Sequence, residues 1–407
     1  MRTSSDRILT SHVGSLPRPD DLIAANRAHA AGEVYERGGF QDTLRAAVED
    51  VVQLQKNLGI DIPGDGEFGK AMNHRVNFGA WMSYSYHRLG GLDLVGPEMH
   101  DAPPRRSTPG RLVLTSFADR RDRLRFAAAY ADPESGVSTG PRPATGPVCV
   151  APLSYIGTDA IKADIANFKK ALEAAAIGEG FMTSIAPGST TRIGNAYYKT
   201  DEEFLFAAAE AMREEYKAIV DAGLILQLDD PALATNWDMI NPEPTLKEYR
   251  KFATMQVAAL NHAIRGLPRE QIRFHLCWGS WHGPHTTDIP MRDIVDVMLA
   301  VNAHAYSFEA GNVRHEHEWR VWDEVKLPDD KLILPGVVSH ATNVVEHPEL
   351  VAERILRFAN LVGRERVIAS TDCGLGGRVH PQIAWAKLEA LAQGATLASS
   401  RLWRQSP

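Results

Sequence analysis

The stretch Phe274-His275-Leu276-Cys277-Trp278-Gly279 reads as a short β-strand, and a strand sends alternate side chains to one face, so His275 and Cys277 point the same way. A neutral imidazole and a thiolate on one face supply half of a zinc site. Two later strand ends offer the other half: Glu309 in Tyr306-Ser307-Phe308-Glu309, and Cys373 in Ser370-Thr371-Asp372-Cys373-Gly374. One imidazole, two thiolates and one carboxylate suit zinc. Taken singly, each residue has a plainer role, since a buried Cys behaves as a small hydrophobe and a buried His is commonly a hydrogen-bonded core residue. The arrival of four ligands at comparable strand ends is what favours the metal.

Ligands so far apart in the chain need a scaffold that brings strand ends together. Short apolar, often β-branched runs alternate with segments of helical periodicity, the pattern of βα units. Strands are predicted at Ile8 to Val13, Gly59 to Gly64, Gly180 to Ala186, Leu224 to Leu228, Ile272 to Cys277, Ala303 to Phe308, Leu332 to Val338 and Arg366 to Ser370. Amphipathic helices are predicted at Asp201 to Ala222, Thr245 to Arg265, Met291 to Asn302, Pro348 to Val362 and Pro381 to Gln393. Eight strands imply an α/β fold, a (β/α)8 TIM barrel, in which the C-terminal ends of the strands share the rim that carries chemistry. That rim collects His12, Ser15, Asp65, Glu67, Asp229, Asp230, His275, Cys277, Glu309, His340 and Cys373.

The alternation fails once, at about 70–176, where Pro103-Pro104, Pro109-Gly110, Pro141 and Pro143 punctuate a long insertion after the second strand. The insertion contains the apolar runs Leu112-Val113-Leu114 and Gly146-Pro147-Val148-Cys149, and a small hairpin with a helix from Asp159 to Ala176 is expected to pack over the barrel mouth. The chain is therefore read as one domain over 1–407, and a split near Ser189 is the competing division.

Composition narrows the function. With 407 residues, 44% hydrophobic, 23% charged and a formal net charge of −7, the chain carries neither a basic aromatic stripe for nucleic acid nor an apolar run that would span a bilayer. The polar start, Met1 to Arg7, lacks a signal-peptide core, which points to the cytoplasm. Three cysteines in a chain of this character favour metal or catalysis over a disulfide framework.

Five motifs carry a family resemblance: Ser11-His12-Val13-Gly14-Ser15-Leu16-Pro17-Arg18, Asp65-Gly66-Glu67-Phe68, Leu226-Gln227-Leu228-Asp229-Asp230-Pro231-Ala232-Leu233, His275-Leu276-Cys277 with Glu309, and Thr371-Asp372-Cys373-Gly374-Leu375. Over nearly its whole length the chain resembles the short, single-barrel members of the cobalamin-independent methionine synthase family, equivalent to the catalytic barrel of the long enzymes. The resemblance implies zinc on His275, Cys277, Glu309 and Cys373, and amino-acid substrate contacts at Ser15, Glu67 and Asp229. It implies a thiol S-methyltransferase that uses a small thiol such as homocysteine as a zinc-bound thiolate, with methyl-folate or another methyl donor. A poor nitrogen leaving group needs an acid, for which His340, His12 and His282 are candidates; His340 lies near the long enzymes' proton-donating His, one inserted residue away. The partners are then small molecules, and a homo-oligomer is allowed.

The runs Trp278 to His285 and Phe308 to Trp319 depart from the long enzymes and resemble a subgroup that includes epoxyalkane:coenzyme M transferases. Addition of a thiol to an epoxide is thus the alternative chemistry. An α-amino acid thiol calls for carboxylates such as Glu67 and Asp229, whereas a sulfonate thiol calls for Arg18, Arg192, Arg314 or Arg378. A non-catalytic, zinc-stabilised binding barrel is the alternative of another class.

Overall fold

A computed structural model of the chain describes residues 1–31, 33, 39–72, 84–97, 102–137 and 145–403. Among these, seven strands form one parallel sheet: β1 (Leu9–Thr10), β4 (Phe181–Ile185), β6 (Ile225–Asp230), β7 (Ile272–Leu276), β8 (Ala305–Glu309), β9 (Leu332–Val338) and β10 (Ile368–Thr371), in the order β1-β10-β9-β8-β7-β6-β4. The expected strand over 59–64 is reduced to a bridge between Gly64 and Phe181. Pro63 offers no N–H to a ladder, which explains the loss of regular pairing. The segment still fills the gap between β1 and β4. The Asp61 and Ile62 amides donate to the Thr10 carbonyl at 3.1 Å, and the Phe181 amide donates to the Pro63 carbonyl at 3.0 Å.

The interior of the closed ring is a plug of Leu9, Ile62, Phe181, Ile225, Ala305, Leu332, Leu334 and Ile368, side chains from seven different staves. A second, larger core lies between the sheet and the surrounding helices and includes Leu205, Met212, Tyr216, Val257, Leu260, Ile355, Phe358, Leu388 and Leu391. The helices follow the apolar periodicity of the sequence. Helix Leu246–Ala263 starts at a capping box in which Thr245 and Glu248 each satisfy the other's backbone amide. Pro348–Val362 forms as expected, and Pro381–Leu402 runs nine residues past its expected end. The helix expected over 291–302 breaks into a 3₁₀ turn, Met291–Asp293, and a short helix, Val295–Leu299. There Arg250 takes the Asp293 carbonyl at 2.6 Å, diverting it from helical use. No helix among the described residues is long and apolar enough to cross a membrane.

The insertion contains the expected hairpin, which uses the 146–149 run but not the 112–114 run. Strand β2 (Leu89–Pro97) pairs antiparallel with β3 (Thr145–Tyr155), and β5 (Gly194–Asn195), from beyond the expected insertion, adds a parallel edge. The 112–114 run supplies only a bridge from Leu114 to Ile240, and Pro141 and Pro143 lie outside the described residues. The helix after the hairpin, Thr158–Ala174, forms close to its expected bounds. Buried Glu215, on the helix Asp201–Asp221, moors the hairpin to the barrel. It accepts hydrogen bonds from Arg88 (2.9 Å) and Tyr155 (2.7 Å) of the insertion and from Ser184 (2.7 Å) of β4.

Candidate metal centre

Parallel register places His275 of β7 beside Asp229 of β6 and Ser307 of β8, so all three side chains point into the barrel at one level. The Ser307 hydroxyl lies 3.3 Å from His275 Nδ1, while His275 Nε2 is buried and has no hydrogen-bond partner. Just past the end of β7, Cys277 Sγ accepts the Gly279 amide at 3.2 Å. That turn needs glycine, since its φ is 93° and a Cβ would come within 2.1 Å of the Trp281 ring. Cys373, two residues beyond β10, brings its Sγ to 3.8 Å from that of Cys277. The ligand atoms of His275, Cys277 and Cys373 all lie within 4.8 Å of one another.

This donor set fits zinc. Two thiolates at about 2.3 Å from a tetrahedral zinc sit about 3.8 Å apart, which matches the observed sulfur separation, and the unanswered Nε2 of His275 is a third donor with Nδ1 oriented by Ser307. The two thiols share a proton unevenly. Contact with Cys277 pulls Cys373 well below the ordinary thiol range, and the same contact, with burial, pushes Cys277 up.

Glu309 stands in a second set, with His340 and Asp372, whose ligand atoms likewise lie within 4.8 Å of one another. Its Oε1 accepts the Trp278 amide at 2.9 Å and its Oε2 accepts Asn312 Nδ2 at 2.8 Å. Burial pushes its carboxyl up to about 8. Asp372 accepts the Ala310 and Gly311 amides, each at 2.7 Å, and shares Asn312 Nδ2 at 2.9 Å. Asp372 and Asn312 escaped the sequence reading, although one immediately precedes Cys373 and the other follows Glu309 by three residues. Behind Glu309, the Trp278 ring lies tilted against His315 with centroids 4.2 Å apart. Burial alone would lower the His315 imidazole, but Asp288 and Glu318 push it up to about 10.

Two of the three candidate acids, His340 and His12, differ. His340 is buried, its Nδ1 has no partner, and burial pushes it down to about 3. His12 is equally buried and equally lowered, to about 3, but its Nδ1 accepts the Gly14 amide at 3.1 Å and its Nε2 lies 2.7 Å from Gln55 Oε1. That ring is spent on holding the first two barrel segments together.

The substrate candidates cluster around the same corner. Burial pushes Asp229 up to about 7 against the pull of His275, and Glu67 lies close enough for its charge to act on it. Glu67, at a positive φ of 61°, accepts Lys70 Nζ at 3.3 Å and the Thr183 hydroxyl at 2.7 Å. Ser15 lies next to the Cys373 loop, its carbonyl accepting the Leu375 and Gly376 amides at 2.9 Å. Arg378 ends that loop, buried, with Nε donating to Ser280 Oγ at 2.7 Å, and the Cys373 and Cys277 charges act on it.

Residues 129–396 match the family model for the cobalamin-independent synthase catalytic domain. The methionine synthase of Saccharolobus solfataricus is 24% identical over 399 residues, covering 97% of this chain and 96% of that protein. That of Sulfolobus acidocaldarius is 24% identical over 397 residues, covering 97% and 93%. Among solved structures, the B12-independent methionine synthase from Shewanella sp. W3-18-1 in complex with selenomethionine superposes with a TM-score of 0.68 at 21% identity, covering 98% of this chain and 100% of that one. A putative vitamin-B12-independent methionine synthase from Listeria monocytogenes gives 0.59 at 18%, covering 98% and 99%. The family model spans more than half of the 407 residues, and the parallel barrel around the Cys277–Cys373 pair agrees with it: the chain belongs to the cobalamin-independent methionine synthase family.

Proposed function

We propose that this chain is a zinc-dependent S-methyltransferase that converts a small α-amino acid thiol, homocysteine in the first instance, to its methyl thioether, taking the methyl group from a folate or another nitrogen donor. The observation that carries the reading is the Cys277–Cys373 sulfur pair at 3.8 Å beside the unanswered Nε2 of His275. His275, Cys277 and Cys373 would hold the metal, with Glu309 as the adaptable fourth ligand. Zinc bound there supplies Lewis acidity that lowers the pKa of an acceptor thiol and yields thiolate at neutral pH.

The chain's own residues do the rest. Asp229 and Glu67 accept the acceptor's ammonium group, and Ser15 orients its carboxylate. The acceptor sulfur attacks the methyl carbon. The carbon–sulfur bond forms, the carbon–nitrogen bond breaks with its electron pair on nitrogen, and a proton goes to that nitrogen. His340 is the residue assigned to relay that proton, the one given up by the acceptor thiol, because its Nδ1 is left unanswered whereas both ring nitrogens of His12 are engaged. The buried Arg378 near both sulfurs would suit an anionic acceptor tail, either the carboxylate of homocysteine or the sulfonate of coenzyme M, which keeps epoxide addition as a second reading.

Incubation of the zinc-loaded protein with homocysteine or coenzyme M, each against methyl-folate and a short epoxide, tests this by mass spectrometry of the products. Methionine from methyl-folate is expected. A hydroxyalkyl thioether of coenzyme M alone would favour the second reading, and no thioether from any pair would leave a binding barrel.

A further inference from the structure

Above the apolar plug, one buried cation has no place in the chemistry so far. Arg273 of β7 is fully buried inside the barrel, with its guanidinium carbon 3.5 Å from the Phe181 ring centroid. Its three nitrogens go to neutral acceptors: Nε donates to Gln227 Oε1 at 2.7 Å, Nη1 to Ser11 Oγ at 2.9 Å and Nη2 to the His12 carbonyl at 2.7 Å. No carboxylate among the described residues forms a salt bridge with it. An apolar side chain would complete the plug without burying a charge, so stability alone gives little reason for an arginine here.

Its neighbour supplies the reason. Gln227 is paired in register with Arg273, one level below the pair of Asp229 and His275. Because Arg273 Nε donates to Gln227 Oε1, the amide is held in one orientation, with Nε2 facing upward. Gln227 Nε2 then donates to the Val13 carbonyl at 2.7 Å and to Asp229 Oδ1 at 2.7 Å. Were the amide flipped, its oxygen would face two other oxygens and Asp229 would lose its donor.

We propose that Arg273 is a positioning residue for acceptor recognition: by fixing the Gln227 amide it aims the Asp229 carboxylate at the ammonium group of the incoming thiol. This rests on Asp229 being the ammonium contact of the proposed function. Arg273 thereby sets a preference for amino thiols over thiols of the same carbon skeleton without the amine.

The test uses the zinc-loaded full chain and two acceptors, homocysteine and 4-mercaptobutanoate, which lacks the ammonium. Calorimetric affinities are compared for the native chain, Arg273→Met and Gln227→Met. In both variants homocysteine is expected to bind roughly tenfold more weakly or worse, with 4-mercaptobutanoate changed less than about twofold and kcat at saturation within about threefold. Zinc content stays the same, and the double variant loses no more than either single one, because both act through one amide. Equal weakening for the two thiols, or homocysteine affinity unchanged in both variants, overturns the inference. If Arg273→Met does not fold, Gln227→Met decides the question alone. A native chain without preference for homocysteine would overturn the ammonium reading of Asp229 itself, and this inference with it.

Discussion

His12 and His340 sit in two corners of the same rim, both almost fully buried and both lowered to about 3 by burial. In the His12 corner the protein answers its own polar atoms, with Gly14 and Gln55 occupying the two ring nitrogens and Gln55 Nε2 reaching the Gly64 carbonyl at 2.8 Å. In the His340 corner it does not. His340 Nδ1 and His275 Nε2 have no partner, and two sulfurs face each other at 3.8 Å. Burial and residue type are the same in both corners; what marks the second as a site is donor and acceptor capacity left open, which an unliganded core would find costly.

The largest effect should come from removing the sulfurs. Cys277→Ser and Cys373→Ser are each expected to lose most bound zinc and to cut turnover by about 10³-fold or more, since a serine hydroxyl is neither soft nor ionised at neutral pH. Metal analysis beside the thioether assay checks both; full zinc in both variants would break the contrast between the corners.

Exchanging the histidines separates them next. His340→Gln should lower kcat by roughly 10²–10⁴-fold with little change in stability, as expected for a lost general acid. His12→Gln should leave kcat within a few-fold and cost about 1–3 kcal/mol of stability, because it strands the Gly14 amide or Gln55. Equal kcat losses in the two variants would erase the distinction.

Asp229→Asn sharpens the view of what the open corner binds. Homocysteine affinity should fall about tenfold or more while zinc stays in place, since a charge-assisted contact is lost and no metal bond is touched. Titration calorimetry reads this directly, and unchanged affinity would move the acceptor towards the sulfonate thiols.

The last contrast concerns pH. His12 is neutral in the folded barrel down to about 3 but titrates near 6.5 when unfolded, so its contribution to stability is fully present above 6.5 and is lost as pH falls through that value towards 3. Each such proton accounts for about 1.4 kcal/mol per pH unit across that window. Urea midpoints between pH 4 and pH 7 should therefore show a shallower slope in His12→Gln than in the native chain; identical slopes would mean that His12 is charged in the fold.

The parallel barrel was legible because its signal is local and repeated. Runs such as 272–277 and 332–338 bury both faces of a strand, and 348–362 repeats its apolar residues at helical spacing. Pairing over longer distances was not. Nothing in Leu112-Val113-Leu114 distinguishes it from the stretch 89–97 that actually meets Thr145–Tyr155, since partner choice depends on contacts such as Glu215 with Arg88 and Tyr155. Strand alternation was enough to set His275 and Cys277 on one face. It could not show that Asn312 bridges Glu309 and Asp372, nor that Arg273 would turn inward with only neutral acceptors.

The central claim, that His275, Cys277 and Cys373 hold a zinc to which an acceptor thiol gains access, is tested most directly by zinc-edge X-ray absorption on the purified protein with and without saturating homocysteine. Two sulfur neighbours and the remainder nitrogen or oxygen are expected in the resting protein, rising to three sulfurs with the thiol as Glu309 weakens. A count that stays at two under saturation, or a zinc without sulfur neighbours, would contradict it.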